Sequence, residues 1–136
     1  MKKRMIVLIL MFIFAWTFPL THSVQVNVNI SAPHKVQTKA TWEQKQYNKA
    51  VAMRFAKAGW DWDKRQRGCV YRLFMSESRF DHLADNKHST AYGIAQVLGE
   101  TSKQPEIQIL HAYKYIEHRY STPCRALAFH IHHKWY

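Results

Sequence analysis

From Cys69 onward the chain writes a short amphipathic helix that ends on a carboxylate. Cys69, Val70, Leu73 and Phe74 recur at helical spacing and make one apolar stripe, and Glu77 follows one turn after Leu73, at the end of that stripe. This combination restricts the fold, because the stripe has to be buried and the acid then sits at the edge of the buried surface. A carboxyl beside an apolar face loses solvation in its charged form, which raises its pKa. A glutamic acid still protonated near neutral pH can give its proton to a leaving-group oxygen. Residues 81–90 are polar and read as a loop. The following Ala91-Tyr92-Gly93-Ile94-Ala95-Gln96 is a compact apolar turn whose glycine allows close backbone approach to a ligand.

The rest of the chain reads as helices and short connections. Thr41 is placed to cap a helix over residues 42–58, with Tyr47, Val51 and Phe55 on one face and Gly59 as its stop. Trp60 and Trp62 bracket Asp61 in a tight connection and are expected to pack into the core or a cleft wall. Asp63 can cap the Glu77 helix. Residues 97–105, with Gly99 and Pro105, read as a loop. Residues 106–120 read as a helix with Ile107, Leu110, Ala112, Tyr115 and Ile116 as its apolar positions. Ser121-Thr122-Pro123 breaks it, and residues 125–133 form a last short helix before Trp135-Tyr136. The expected fold class is therefore mostly α, a single domain with a small loop or hairpin region beside a cleft.

The N-terminus has the three parts of a secretory signal peptide. Lys2-Lys3-Arg4 is basic, residues 5–18 are almost all apolar, and Pro19 and small polar residues follow. The apolar run is short for a spanning helix, which needs about 20 residues. The expected organisation is a signal peptide over residues 1–23, a tether over 24–40 and one domain over 41–136. Removal of the signal leaves no stable membrane anchor and puts the mature chain in the periplasm, the cell wall or the extracellular space. An even cysteine count in an exported chain points to a disulfide between Cys69 and Cys124. The formal net charge of +11 favours acidic partners, and nucleic acid, anionic lipid and cell wall all qualify on charge alone. The chain shows no zinc finger, helix-turn-helix or clustered basic arm, so nucleic acid is not an expected partner.

Glu77-Ser78, Ala84, Asn86 and the run from Ser89 to Gln96 resemble the soluble lytic transglycosylases, relatives of goose-type lysozyme. The family pattern is Glu-Ser, a short loop bearing Asn, then Ala-x-Gly-Leu/Ile-x-Gln. Gln108-Ile109, Tyr115-Ile116, Arg119-Tyr120, Pro123-Cys124 and Trp135-Tyr136 extend the resemblance, especially to the small exported and phage-borne members, which commonly carry cysteines at matching places. It covers roughly residues 60–136.

The resemblance implies a lysozyme-like fold and a peptidoglycan lytic transglycosylase with one catalytic glutamate, Glu77. No metal and no cofactor are expected. Ser78 would position Glu77 or a sugar hydroxyl, or simply close the helix. Gln96 carries an amide suited to an acetamido group. Tyr92 would line the wall, and Tyr115 corresponds to a tyrosine of the family cleft. Where many relatives have Ala-Tyr-Asn, this chain has Ala128-Phe129-His130. Phe129 keeps the ring without the hydroxyl, and His130 keeps hydrogen-bonding capacity with other geometry. The run His130-Ile131-His132-His133 lacks carboxylate company at ligand spacing and reads as a basic solvated helix face. The implied partner is the peptidoglycan glycan strand, in the setting of a cell-envelope machine, wall remodelling or a phage particle. Two rival expectations remain. A lysozyme-type hydrolase would need a second carboxylate, Asp81 or Asp85. A non-catalytic peptidoglycan-binding module would keep the cleft without turnover.

Overall fold

The structure is a computed structural model and describes residues 37–135. The expected signal peptide and most of the tether lie outside the described residues, as does Tyr136. Four helices and one small hairpin make up the described fold: α1 Trp42–Ala58, α2 Lys64–Glu77, β1 Ala91–Tyr92, β2 Val97–Leu98, α3 Pro105–Tyr120 and α4 Pro123–His133. The mostly α reading holds, with one shared core.

Side-chain caps start three of the helices. Thr41 accepts from the Gln44 backbone N–H while Gln44 reaches back to the Thr41 N–H, a full capping box. Asp63 accepts from Gln66 N at 2.7 Å to open α2, and Thr122 accepts from Arg125 N to open α4. Prolines set the starts of α3 and α4. Pro105 and Pro123 were expected in a loop and a break, yet each begins a helix. Proline suits the first turn because its missing N–H would have no partner there and its φ is already helical.

Two helices bury a different stripe from the one expected. In α1 the buried residues are Asn48, Val51, Ala52 and Ala56, while Tyr47 is exposed and donates its hydroxyl to Glu106 at 2.7 Å. In α3 the stripe runs through Gln108, Ile109, Ala112, Tyr113 and Ile116. Tyr113 is fully buried, donates to the Ala52 carbonyl at 2.7 Å and meets Trp60 and Trp62 edge-on. The tryptophans thus pack against the core. Gly59 ends α1 in a right-handed conformation, and Asp61 supplies the left-handed residue of the connection at φ 49°. The α2 stripe is as read: Val70, Leu73 and Phe74 are fully buried.

The expected loop over residues 97–105 opens with a strand. Ala91 pairs with Leu98 and Tyr92 with Val97, so the hairpin closes over the Gly93–Gln96 turn. Helix α4 lies along α2. The Cys69–Cys124 disulfide joins them across a separation of 55 residues, and Cys124 N donates to Gln66 Oε1 at 3.0 Å beside it. The N-terminal end of α4 is thereby fixed to the helix that carries Glu77.

Candidate active site

Glu77 is the last residue of α2, at the junction of α2, α4 and the hairpin. A cavity of about 400 Å³ opens over it, lined by Glu77, Asn86, Ser89, Gln96, Lys134 and Trp135, with Ala91 and Leu98 from the hairpin. Among the described residues, Glu77 is the one side-chain carboxylate in that lining. Its side chain is 14% exposed, and burial pushes its pKa up to about 7. Burial thus favours the protonated form of the acid at the cavity wall.

The hairpin turn is held against α2 by its own polar groups. Ser78 closes α2, donates its hydroxyl to the Ile94 carbonyl at 2.6 Å and accepts from Asp81 N at 3.0 Å. It fixes the turn beside Glu77 and does not line the cavity. Gln96 does line it. Its amide nitrogen donates to the Ala84 and Gly93 carbonyls at 3.1 and 3.0 Å, so Oε1 is the polar atom it keeps for a ligand donor.

Gln108 was not singled out as a site residue. It is buried, its Oε1 accepts from Ile94 N at 3.0 Å, and its Nε2 donates to the His82 and Ser102 carbonyls at 2.9 and 2.8 Å. One amide therefore ties three backbone segments around the turn. Gly93, at φ 79°, leaves room for it, since a Cβ there would collide with the Gln108 amide. A buried glutamine on an apolar helix stripe is the sequence signal that could have found it.

The other expected site residues divide into two groups. His130 comes against the acid: its Nδ1 lies 2.9 Å from Glu77 Oε1, and its Nε2 lies 3.2 Å from Ser76 Oγ. The expectation of a solvated basic face is thus corrected for His130, because α4 packs along α2 and turns that side chain inward; His132 and His133 are exposed. Tyr92, Tyr115 and Phe129 do not line the Glu77 cavity. Tyr92 carries Lys103 over its ring at 3.9 Å. Tyr115 accepts from Arg119 at 3.1 Å, and Phe129 packs among Tyr120, His133 and Trp135. Trp135, half-exposed, does line the cavity, with the Arg119 guanidinium 5.1 Å from its ring centroid.

Asp81 and Asp85 also stand apart from the cavity. Asp81 is buried and fully engaged: Oδ1 accepts from Ala40 N and Leu83 N, and Oδ2 meets Lys45 at 3.2 Å. Asp85 is exposed in the loop and bridges Tyr92 through the backbone.

A scan against protein-family models finds no match for this chain, and comparisons with curated proteins and with solved structures find none either.

Proposed function

We propose that the chain is a peptidoglycan lytic transglycosylase of lysozyme-like type, with Glu77 acting first as acid and then as base. The observation that carries this reading is a half-buried carboxyl, raised to about 7, at the wall of a cavity where no other described residue brings a side-chain carboxylate. A glycosidase that activates water needs a second acid or a well-held water opposite the first. An intramolecular acceptor removes that requirement.

In the proposed reaction Glu77 protonates the oxygen between N-acetylmuramic acid and N-acetylglucosamine. The C1–O bond breaks, its electron pair leaves on that oxygen as an alcohol, and positive charge develops at the muramic C1. The muramic 6-hydroxyl then attacks C1 and gives its proton to the Glu77 carboxylate, closing a 1,6-anhydro ring. The acid is regenerated and no water is consumed. Trp135 offers an aromatic ring for a sugar, Gln96 Oε1 offers an acceptor and the Asn86 amide a donor for acetamido and hydroxyl groups, and Lys134 complements the carboxylates of the wall.

The test is release of soluble fragments from purified peptidoglycan by the oxidised mature protein and by Glu77→Gln. Release that drops by about two to four orders of magnitude in the variant supports the assignment. Equal release by both proteins removes Glu77 from the reaction. Tight sedimentation with the wall and no release by either identifies a binding module.

A further inference from the structure

The acid is coupled to a histidine whose tautomer is fixed by its other neighbour. Ser76 Oγ lies 2.7 Å from the Leu73 carbonyl, so the single hydroxyl proton is spent there. The contact between Ser76 Oγ and His130 Nε2 at 3.2 Å must then be made by an N–H on Nε2. In the neutral imidazole this leaves Nδ1 unprotonated, 2.9 Å from Glu77 Oε1. Two unprotonated atoms would repel at that distance, so the pair holds at least one proton. Both atoms are sealed from solvent, which leaves Oε2 as the carboxyl oxygen able to meet a ligand.

We infer that Glu77 and His130 hold the catalytic protons as a unit, with Oε2 as the working oxygen and His130 as a positioning residue that sets its protonation. This rests on the proposed role of Glu77. When the pair holds one proton, that proton sits between Oε1 and Nδ1, and Oε2 is bare and basic. When it holds two, Nδ1–H donates to Oε1 and the second proton is on Oε2, ready for transfer. The two-proton pair gives its Oε2 proton to the glycosidic oxygen. The one-proton pair takes the 6-hydroxyl proton back on Oε2 as the anhydro bond forms. Protons balance over the cycle without another reactant.

The surroundings set the pH at which this operates. Among the described residues, the titratable and charged groups about the imidazole are Glu77 on α2, Tyr71, Arg72 and Arg79 along the adjoining groove, and His133 and Lys134 at the end of its own helix. Burial and Lys134 both lower the His130 pKa below the ordinary histidine value. Turnover should therefore fall as pH rises through the first deprotonation of the pair, on the acid side of the ordinary histidine range. An asparagine at position 130 can donate to Oε1 without a second proton, so activity would then follow the Glu77 carboxyl alone.

Two measurements test this. The first is 15N NMR of histidine-labelled protein across pH, in the wild type and in Glu77→Gln, with the His130 signals assigned by their loss in His130→Asn. Expected is an Nε2-protonated neutral form and a His130 titration that changes when Glu77 is replaced. An Nδ1-protonated neutral form, or the same His130 midpoint in both proteins, overturns the inference. Because this needs no turnover, it stands apart from the test of the activity itself. The second is the pH profile of fragment release by wild type and His130→Asn. Expected is a high-pH limb displaced upward in the variant. A limb that stays in place while release falls at every pH indicates packing alone and overturns the inference.

Discussion

At the scale of single residues, the burial that raises the Glu77 pKa also costs stability. An acid whose folded-state pKa is raised contributes its full stability below the unfolded value, near 4.5, and loses it as pH rises through about 7. Discounting for its partial exposure, the loss amounts to about 2 kcal/mol above neutrality. Glu77→Gln should therefore be more stable than wild type at pH 8 by about that amount, and no more stable at pH 4. Denaturant titrations of both proteins at the two pH values check this; equal differences at both would assign the effect to something other than ionisation. Glu77 itself was legible in the sequence, because the apolar stripe and the acid at its end are local. The Glu77–His130 contact was not, because it joins residues 53 apart through the packing of α4 on α2, and no local pattern shows which way a lone histidine turns.

At the scale of elements, the hairpin turn and the α2–α4 pair hold the site together. Gly93→Ala would place a methyl on the Gln108 amide in a backbone conformation that alanine resists. It should destabilise the fold by about 2 to 3 kcal/mol, read from the unfolding midpoint, and lower activity as the Ile94–Gln108 bond is lost. The disulfide closes a loop of 55 residues between the same helices that bring His130 to Glu77. Reduction should cost about 4 kcal/mol in the chain-entropy account, and calorimetry with and without reductant measures it. Helix existence was readable from capping residues and periodicity, and three of the four caps are ordinary Thr or Asp side chains. Stripe phase was harder. In α1 and α3 the buried faces include Asn48 and Gln108, whose hydrogen bonds to backbone carbonyls make polar burial acceptable. An apolar-only reading therefore rotates both helices.

At the scale of the whole molecule, charge governs encounter. A formal net charge of +11, or 11 − 3 = +8 without Lys2, Lys3 and Arg4, should draw the chain to an anionic wall, and the attraction should weaken as salt screens it. Co-sedimentation with peptidoglycan at low and high salt checks this, with bound protein expected to fall steeply; binding indifferent to salt would place the affinity in the cavity alone. The mostly helical class followed from periodicity along the chain. The cavity did not, since its lining comes from the end of α2, the loop, the hairpin and the residues after α4. Trp135 is the clearest case: its exposure at the rim follows from the path of the chain past α4, which no pattern at positions 134–135 encodes.

The central claim is that one carboxyl cleaves the glycan strand with the sugar's own hydroxyl as acceptor. The most direct measurement is the mass of the muropeptides released from purified peptidoglycan by the oxidised protein. Chain ends lacking one water, as 1,6-anhydro-muramic acid requires, are the predicted result. Reducing ends carrying that water would contradict the claim and make the enzyme a hydrolase.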